Sequence, residues 1–238
     1  MTVWRDAGRL LVRQPAARAL AAPLGVLFPP IRYRLALEAF RESARRTLGT
    51  PRDVAPLDYA RRYDLYAQVV DAEQLTAAPV HYLEFGVAGG DSLRWWAGAL
   101  TSPEARLIGF DTFTGLPEAW RHAGPGYFDQ GAKPPAIDDP RVNFEVGLFE
   151  ATLPRALERL VPGPRLIVHL DADLYSSTSF VLRALTPRLR SGDLLLFDEF
   201  ADAQHEFRAY HEWIAVAPVR LVPVAAVNDF LQVAFRVV

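Results

Sequence analysis

An α/β fold with a mainly parallel sheet is predicted by three observations. Residues 81–93, HYLEFGVAGGDSL, pass from an apolar stretch through a glycine-rich turn to a helix N-cap at Asp91-Ser92. Residues 165–171 and 193–200 are near-continuous apolar runs that end in acids, as strands buried on both faces require. Segments with helical spacing lie between such runs, so strands and helices alternate. At 238 residues, half of them apolar, the chain suits one sizeable α/β domain with an N-terminal elaboration.

Taken in order, residues 7–36 contain no acid, while Arg9, Arg13, Arg18, Arg32 and Arg34 interrupt a mostly apolar run. Pro15, Pro23, Pro29 and Pro30 break that run, which argues against a spanning helix, and no small-residue cleavage site follows its apolar part at 19–28. An arm packed on its own domain or on a neighbouring subunit is expected. Leu37, Phe40, Ala44 and Leu48 keep helical spacing, as do Tyr59, Tyr63, Tyr66 and Val70, with Gly49 and Pro51 marking the turn between them. The tyrosine stripe reads as core, and the two helices could roof a pocket.

The first strand leads into the glycine turn, and a second, 107–110, ends in Asp111. Residues 116–140 are rich in Pro and Gly, carry Trp120, Tyr127 and Phe128, and keep no period, so they read as a binding lid. A third strand at 142–146 and a helix at 153–160 follow. The strand at 165–171 then leads to a helix reaching 189, and the strand at 193–200 to a helix at 204–214. Two closing strands, 219–224 and 230–237, are expected to include an antiparallel member. The division is thus 1–76, arm and helices, and 77–238, the α/β domain.

Composition excludes several chemistries. The net charge is −2 with acids and bases interspersed, so no nucleic-acid partner is expected. The absence of cysteine removes disulfides, thiolate metal sites and cysteine nucleophiles. Lys133 is the single lysine.

The chemistry gathers where strands end. A side chain at Gly86, Gly89 or Gly90 would hold a ligand off the turn or force a positive φ. Asp111, at the tip of the second strand, is placed to accept hydrogen bonds from ribose hydroxyls. The spacing is not G-x-G-x-x-G, so a ligand with ribose but no pyrophosphate fits, and S-adenosylmethionine (SAM) is the candidate. One crossover separates Asp171 from Asp198, which puts them side by side at the carboxyl edge of the sheet, with Glu199 and Asp173 near. Like charges so close raise one another's pKa unless a cation is present, and a hard divalent ion such as Mg²⁺ resolves the conflict. His169, inside a strand, reads as a core residue. His205, shortly after Asp198-Glu199, is a candidate for the pocket.

With these residues assembled, the sequence resembles the macrocin O-methyltransferase (TylF/MycF-like) family of class I SAM-dependent methyltransferases. The resemblance runs from about residue 80 to 224 and rests on five blocks: EFGVAGGDS at 84–92, GFDTFTGLP at 109–117, GLFEATLP at 147–154, LDADLYSST at 170–178 and FDEF at 197–200. It implies a Rossmann-like, seven-stranded methyltransferase sheet with helices on both faces and an N-terminal helical extension. It also implies Mg²⁺-assisted transfer of the SAM methyl group to a hydroxyl, often on a sugar of a natural product. Under it Glu84, Gly86, Gly90, Ser92 and Asp111 hold SAM, and Asp171, Asp198 and Glu199 hold the metal. Glu199 stands where the members closest to macrocin methyltransferase have aspartate. The general base is Asp173 or Asp171, then His205. The expected partner is a small-molecule hydroxyl acceptor, the expected location cytoplasmic, and the N-terminal region a surface for self-association.

Two rival readings accompany this one. Asp171-Ala172-Asp173 is also the D-x-D pattern with which many glycosyltransferases hold a metal and a sugar nucleotide, but that leaves residues 84–92 and Asp198-Glu199 without roles. A non-catalytic SAM-fold scaffold would not need the full acidic cluster.

Overall fold

The computed structural model describes residues 29–50, 52–53 and 55–238. The arm at 7–28 and the turn signal at Pro51 lie outside these residues. Helix α1 (Pro29–Leu48) and, after a 3₁₀ turn at Tyr59–Arg61, helix α2 (Arg62–Ala72) precede the sheet. The chain then runs β1 (Val80–Phe85), α3 (Asp91–Ala99), β2 (Arg106–Asp111), β3 (Val142–Val146), α4 (Phe149–Arg159), β4 (Arg165–Leu170) and α5 (Tyr175–Leu185). It closes with β5 (Leu194–Phe197), α6 (Glu206–Ile214), β6 (Leu221–Val227) and β7 (Gln232–Val237). The expected seven-stranded sheet forms, in the order β3-β2-β1-β4-β5-β7-β6. Strands β1 to β5 are parallel, and β7 runs antiparallel to both β5 and β6.

Burial explains why the central strands are readable from sequence. Every residue of β1 and β5 is buried, whereas β3, at the sheet's edge, buries none fully. Successive side chains of a strand point to opposite faces. Leu83 and Phe85 accordingly join one core with Leu195 and Phe197, and Val80 and Tyr82 join another with Leu194 and Leu196. The first core is closed by α1, whose Phe40 packs 5.0 Å from Phe200 and 5.8–5.9 Å from Tyr210, Phe230 and Phe235 between ring centroids. The second is closed by α2 and α3, with Tyr66 against Trp96 and Tyr82 against Trp96.

Some boundaries differ from expectation. Helix α1 begins at Pro29, inside the stretch read as an arm, because a proline in a helix's first turn has no N–H to lose. Helix α4 starts four residues before Leu153, and Pro154 lies within it. Residues 116–140 form no helix and only an isolated bridge, Trp120 with Ala123, yet they are pinned by turns. Leu116 and Tyr127 are hydrogen-bonded through the backbone, Gln130 and Ala132 donate to the Phe113 carbonyl, and buried Trp120 packs with Leu174. Among the described residues, no helix is long and apolar enough to cross a membrane.

The connections out from β1 to β3 and back to β4 make the strand order reverse between β1 and β4, the position at which open α/β sheets bind ligands. Ladder bonds continue past the strand ends there. Gly86 donates to the Phe110 carbonyl (3.0 Å), Asp171 to that of Phe85 (2.9 Å), Asp198 to that of Leu170 (2.9 Å) and Gly147 to that of Asp111 (2.9 Å). Asp111, Gly86, Asp171 and Asp198 thereby stand in a row along one edge.

Candidate active site

A cavity of about 690 Å³ lies over that row. The Gly86-Val87-Ala88 turn and Asp111 line one end, with Leu148, Phe149 and Glu150 beside them. Asp171, Asp173, Asp198 and Glu199 line the other, under Tyr59 and Arg62; Leu116, Trp120 and Phe128 of the long loop complete the wall.

At the glycine end, Gly86 has φ +93°, and a Cβ there would lie 1.9 Å from the Asp171 carbonyl oxygen. Its glycine is therefore required by the neighbouring strand before any ligand arrives. Gly89 differs, because a Cβ there meets nothing within 4 Å. The Asp111 carboxylate holds the turn: Oδ2 accepts from the backbone N–H of Val87 (2.8 Å) and Ala88 (2.9 Å), and Oδ1 from that of Phe113 (2.8 Å). Glu84, Gly90 and Ser92 do not line the cavity. Ser92 donates to Glu84 Oε1 (2.6 Å) and Tyr82 to Oε2 (2.7 Å), so the two predicted ligand residues bond to each other beneath the turn.

Glu84 is fully buried, and desolvation pushes its carboxyl up to about 7 against the bonds from Ser92 and Tyr82 that hold it down. In the unfolded chain it titrates near 4.5. Between those values the folded state binds the extra proton, so stability falls as pH rises from about 4.5 through 7 and levels off above. The full effect is about 3 kcal/mol. Thermal melts of the metal-free protein from pH 5 to 8 should show a decline, and Glu84→Gln should reduce it by about that amount, the raised Asp173 and Asp198 carboxyls supplying the rest.

At the acidic end, burial raises the carboxyl groups of Asp171, Asp173 and Asp198 together, and their mutual charges add to it for Asp171 and Asp173. Two arginines answer the charge. Arg62, the first residue of α2, reaches Asp171 Oδ2 with Nη1 (3.5 Å) and Asp198 Oδ2 with Nη2 (3.1 Å). Arg121, from the long loop, donates to Glu199 Oε2 (3.0 Å) and Asp202 Oδ2 (2.7 Å), and Tyr59 donates to Glu199 Oε1 (2.8 Å). Glu206, missed from sequence, lies fully buried below and accepts from the Glu199 N–H (2.9 Å). Asp173 is held at a left-handed φ of +58°, a strained backbone for an aspartate that turns its chain at the cavity wall.

His169 is buried as expected, with Nδ1 2.7 Å from the Tyr82 hydroxyl and Nε2 3.3 Å from that of Tyr66. Burial lowers its pKa to about 3, so the ring is neutral. It nonetheless meets the acids: among the described residues, His169, Asp171 and Asp198 offer ligand atoms within 4.8 Å of one another. His205 does not line this cavity; its Nδ1 accepts from the Tyr175 N–H (3.3 Å) and it borders a second hollow. Tyr59 is 41% exposed and lines the cavity, so that member of the tyrosine stripe is not core.

The donor set fits a divalent cation on one observation of its own. Asp198 is only 1% exposed and its buried Oδ1 makes no hydrogen bond, with His169 Nε2 4.0 Å away, while burial raises the pKa of the group against Arg62 and the Gln232 side chain, which lower it.

Residues 129–236, which carry all four cavity carboxylates from Asp171 to Glu199, match the family model described as Macrocin-O-methyltransferase (TylF). Over that segment, a little under half of the chain, it is similar to that family. The glycine turn, Asp111, Arg62 and Arg121 lie outside the segment matched to macrocin O-methyltransferases. Over 76 residues the chain is 41% identical to the 8-demethyl-8-(2,3-dimethoxy-alpha-L-rhamnosyl)-tetracenomycin-C 4'-O-methyltransferase of Streptomyces olivaceus. That match covers 29% of this chain and 27% of the relative, so the chain aligns with about a quarter of that protein's length. Among solved structures, the calicheamicin methyltransferase CalS11 has a TM-score of 0.54 at 23% identity, covering 82% of this chain and 90% of its own. A cmcI structure with Mg and SAM gives 0.51 at 19% identity, over 79% and 82%. Both likenesses are of fold.

Proposed function

We propose that the protein is a SAM-dependent O-methyltransferase, assisted by a divalent cation, whose acceptor is a hydroxyl of a sugar or other natural product. The observation that carries this reading is that one cavity joins the glycine turn and Asp111 at one end to the carboxylate cluster at the other. The family match and the names of the relatives support it. SAM, when bound, supplies an electrophilic methyl group, so the protein's task is to align it with the acceptor oxygen and to take up the proton. Asp111 keeps lone pairs for the ribose hydroxyls while holding the turn, and Leu148 and Phe149 offer an apolar wall for the base. Asp171 and Asp198 would hold the cation, with Glu199 behind them. There the cation would stabilise negative charge on the acceptor oxygen.

Asp173 takes the acceptor proton on its carboxylate in this reading. Its support is its position at the cavity wall and a pKa raised by burial and by the charges of Glu199 and Asp198, which suits a base working near neutral pH. The loop 116–140 excludes water as a lid, and Tyr59 and Arg62 roof the acceptor side. The reading takes the enzyme to be cytoplasmic and leaves the N-terminal region for self-association.

Calorimetric titration with S-adenosylhomocysteine, and separately with uridine diphosphate, each with and without Mg²⁺, tests this. Binding of the first alone is expected. Metal-dependent binding of the second alone would replace the reading with a sugar-nucleotide transferase. In the same assay Asp111→Asn should weaken S-adenosylhomocysteine by about 10- to 100-fold, the worth of hydrogen bonds to a charged acceptor.

A further inference from the structure

We infer that Arg62 is a resident counter-ion of the Asp171–Asp198 pair and competes with the divalent cation for it, so that cation entry requires the guanidinium to leave. This rests on the proposed metal-assisted reading. The geometry is that of a substitute rather than a complete partner. A guanidinium matches one carboxylate with two parallel bonds, but here it is split, one nitrogen toward Asp171 at 3.5 Å and another toward Asp198 at 3.1 Å. Asp198 Oδ1 is left buried and without a hydrogen bond, its neighbour His169 Nε2 standing off at 4.0 Å. The arrangement neutralises charge without satisfying the oxygens, which a metal ion would do.

Placement argues the same way. Arg62 opens α2, whose next turns are anchored by buried Leu65, Tyr66 and Val69. Upstream, Asp58 caps the 3₁₀ turn and is tied to Asn228 through its backbone (2.9 Å from Asn228 Nδ2 to the Asp58 carbonyl). The helix start is thus held on both sides, and the long side chain alone can move. Its side chain is 21% exposed at the cavity, with the guanidinium 5.4 Å from the centroid of the Tyr59 ring, so it has a path outward and an aromatic face beside it. Glu199 is outside the exchange, because Arg121 and Tyr59 already hold it. Cation affinity is then set in part by a cavity residue that is not itself a cation ligand.

The test is Mg²⁺ binding by calorimetry to the intact protein and to Arg62→Gln and Arg62→Lys. Arg62→Gln should bind Mg²⁺ about tenfold or more tightly than wild type, since one competing charge is gone, and Arg62→Lys should stay near wild type. In the wild-type protein the side-chain Nε signal of Arg62, assigned by its loss in Arg62→Lys, should shift as Mg²⁺ is added. This arm holds even where Arg62→Gln folds poorly. Equal Mg²⁺ affinity in wild type and Arg62→Gln, or an Arg62 signal unmoved at saturating Mg²⁺, overturns the inference and leaves the metal-assisted reading intact. No Mg²⁺ binding by any of the three proteins removes both, while S-adenosylhomocysteine binding would still support the methyl donor.

Discussion

Asp198→Asn is expected to lower methyl transfer by about 10²–10³-fold while leaving S-adenosylhomocysteine affinity within about twofold. Asp198 is the deepest acid of the cavity, 1% exposed, held at the end of β5 by its backbone bond to Leu170, so its carboxylate cannot be replaced by a neighbour swinging in. An amide keeps the shape and one oxygen but loses the charge that draws a cation. Asp111, three strands along the sheet edge from Asp198, keeps its own bonds to the glycine turn. Turnover with a sugar acceptor and calorimetry together check this; turnover within about threefold of wild type would remove Asp198 from the proposed metal ligands.

Gly86→Ala should destabilise the fold by about 4 kcal/mol or more, whereas Gly89→Ala, three residues on, should cost under about 1 kcal/mol. At Gly86 the added methyl group would stand 1.9 Å from the Asp171 carbonyl oxygen, and φ is +93° besides. Relief requires β1 and β4 to part at their ends, where Phe85 and Leu170 are paired and the backbone bond to Asp171 begins the acidic cluster. At Gly89 there is open space. Chemical denaturation of the two variants separates the cases. A Gly89→Ala protein that is stable yet weak for S-adenosylhomocysteine would show that this glycine, unlike Gly86, serves the ligand.

These two glycines show how far sequence reasoning carries. The turn was legible, because glycines between an apolar run and a helix cap have few other uses. Which glycine answers to the fold and which to a ligand was not, since that depends on β4, some 80 residues away in sequence. The row Asp111, Asp171, Asp198 was legible for a related reason: parallel strands buried on both faces are continuous apolar runs, and the residues just beyond their C-terminal ends must share one edge. The counter-ions were hidden. Apart from Lys133, every basic residue counted in the chain is an arginine, and nothing local distinguishes Arg62 or Arg121 from those facing solvent. Their partners are acids 109 positions on from Arg62, at Asp171, and 78 on from Arg121, at Glu199. Glu84 and Ser92 illustrate the converse, since two residues expected to hold a ligand bond to each other under the turn. His169 was readable as core from its place in an apolar strand, but its closeness to Asp171 and Asp198 comes only from the β4–β5 register.

The packing of α1 also bears on how the chain reaches this state. Phe40 finds its aromatic neighbours at Phe200, Tyr210, Phe230 and Phe235, so the shortest of these separations is 160 residues. During synthesis at about 5–20 residues per second, α1 emerges with its apolar face many seconds before the surface it covers exists. The sheet's last strand, β7, must insert between β5 and β6 before that surface is complete. The helix therefore waits as an uncovered amphipathic segment on the nascent chain, and a stop anywhere before β7 leaves it exposed to chaperones or to other copies of itself.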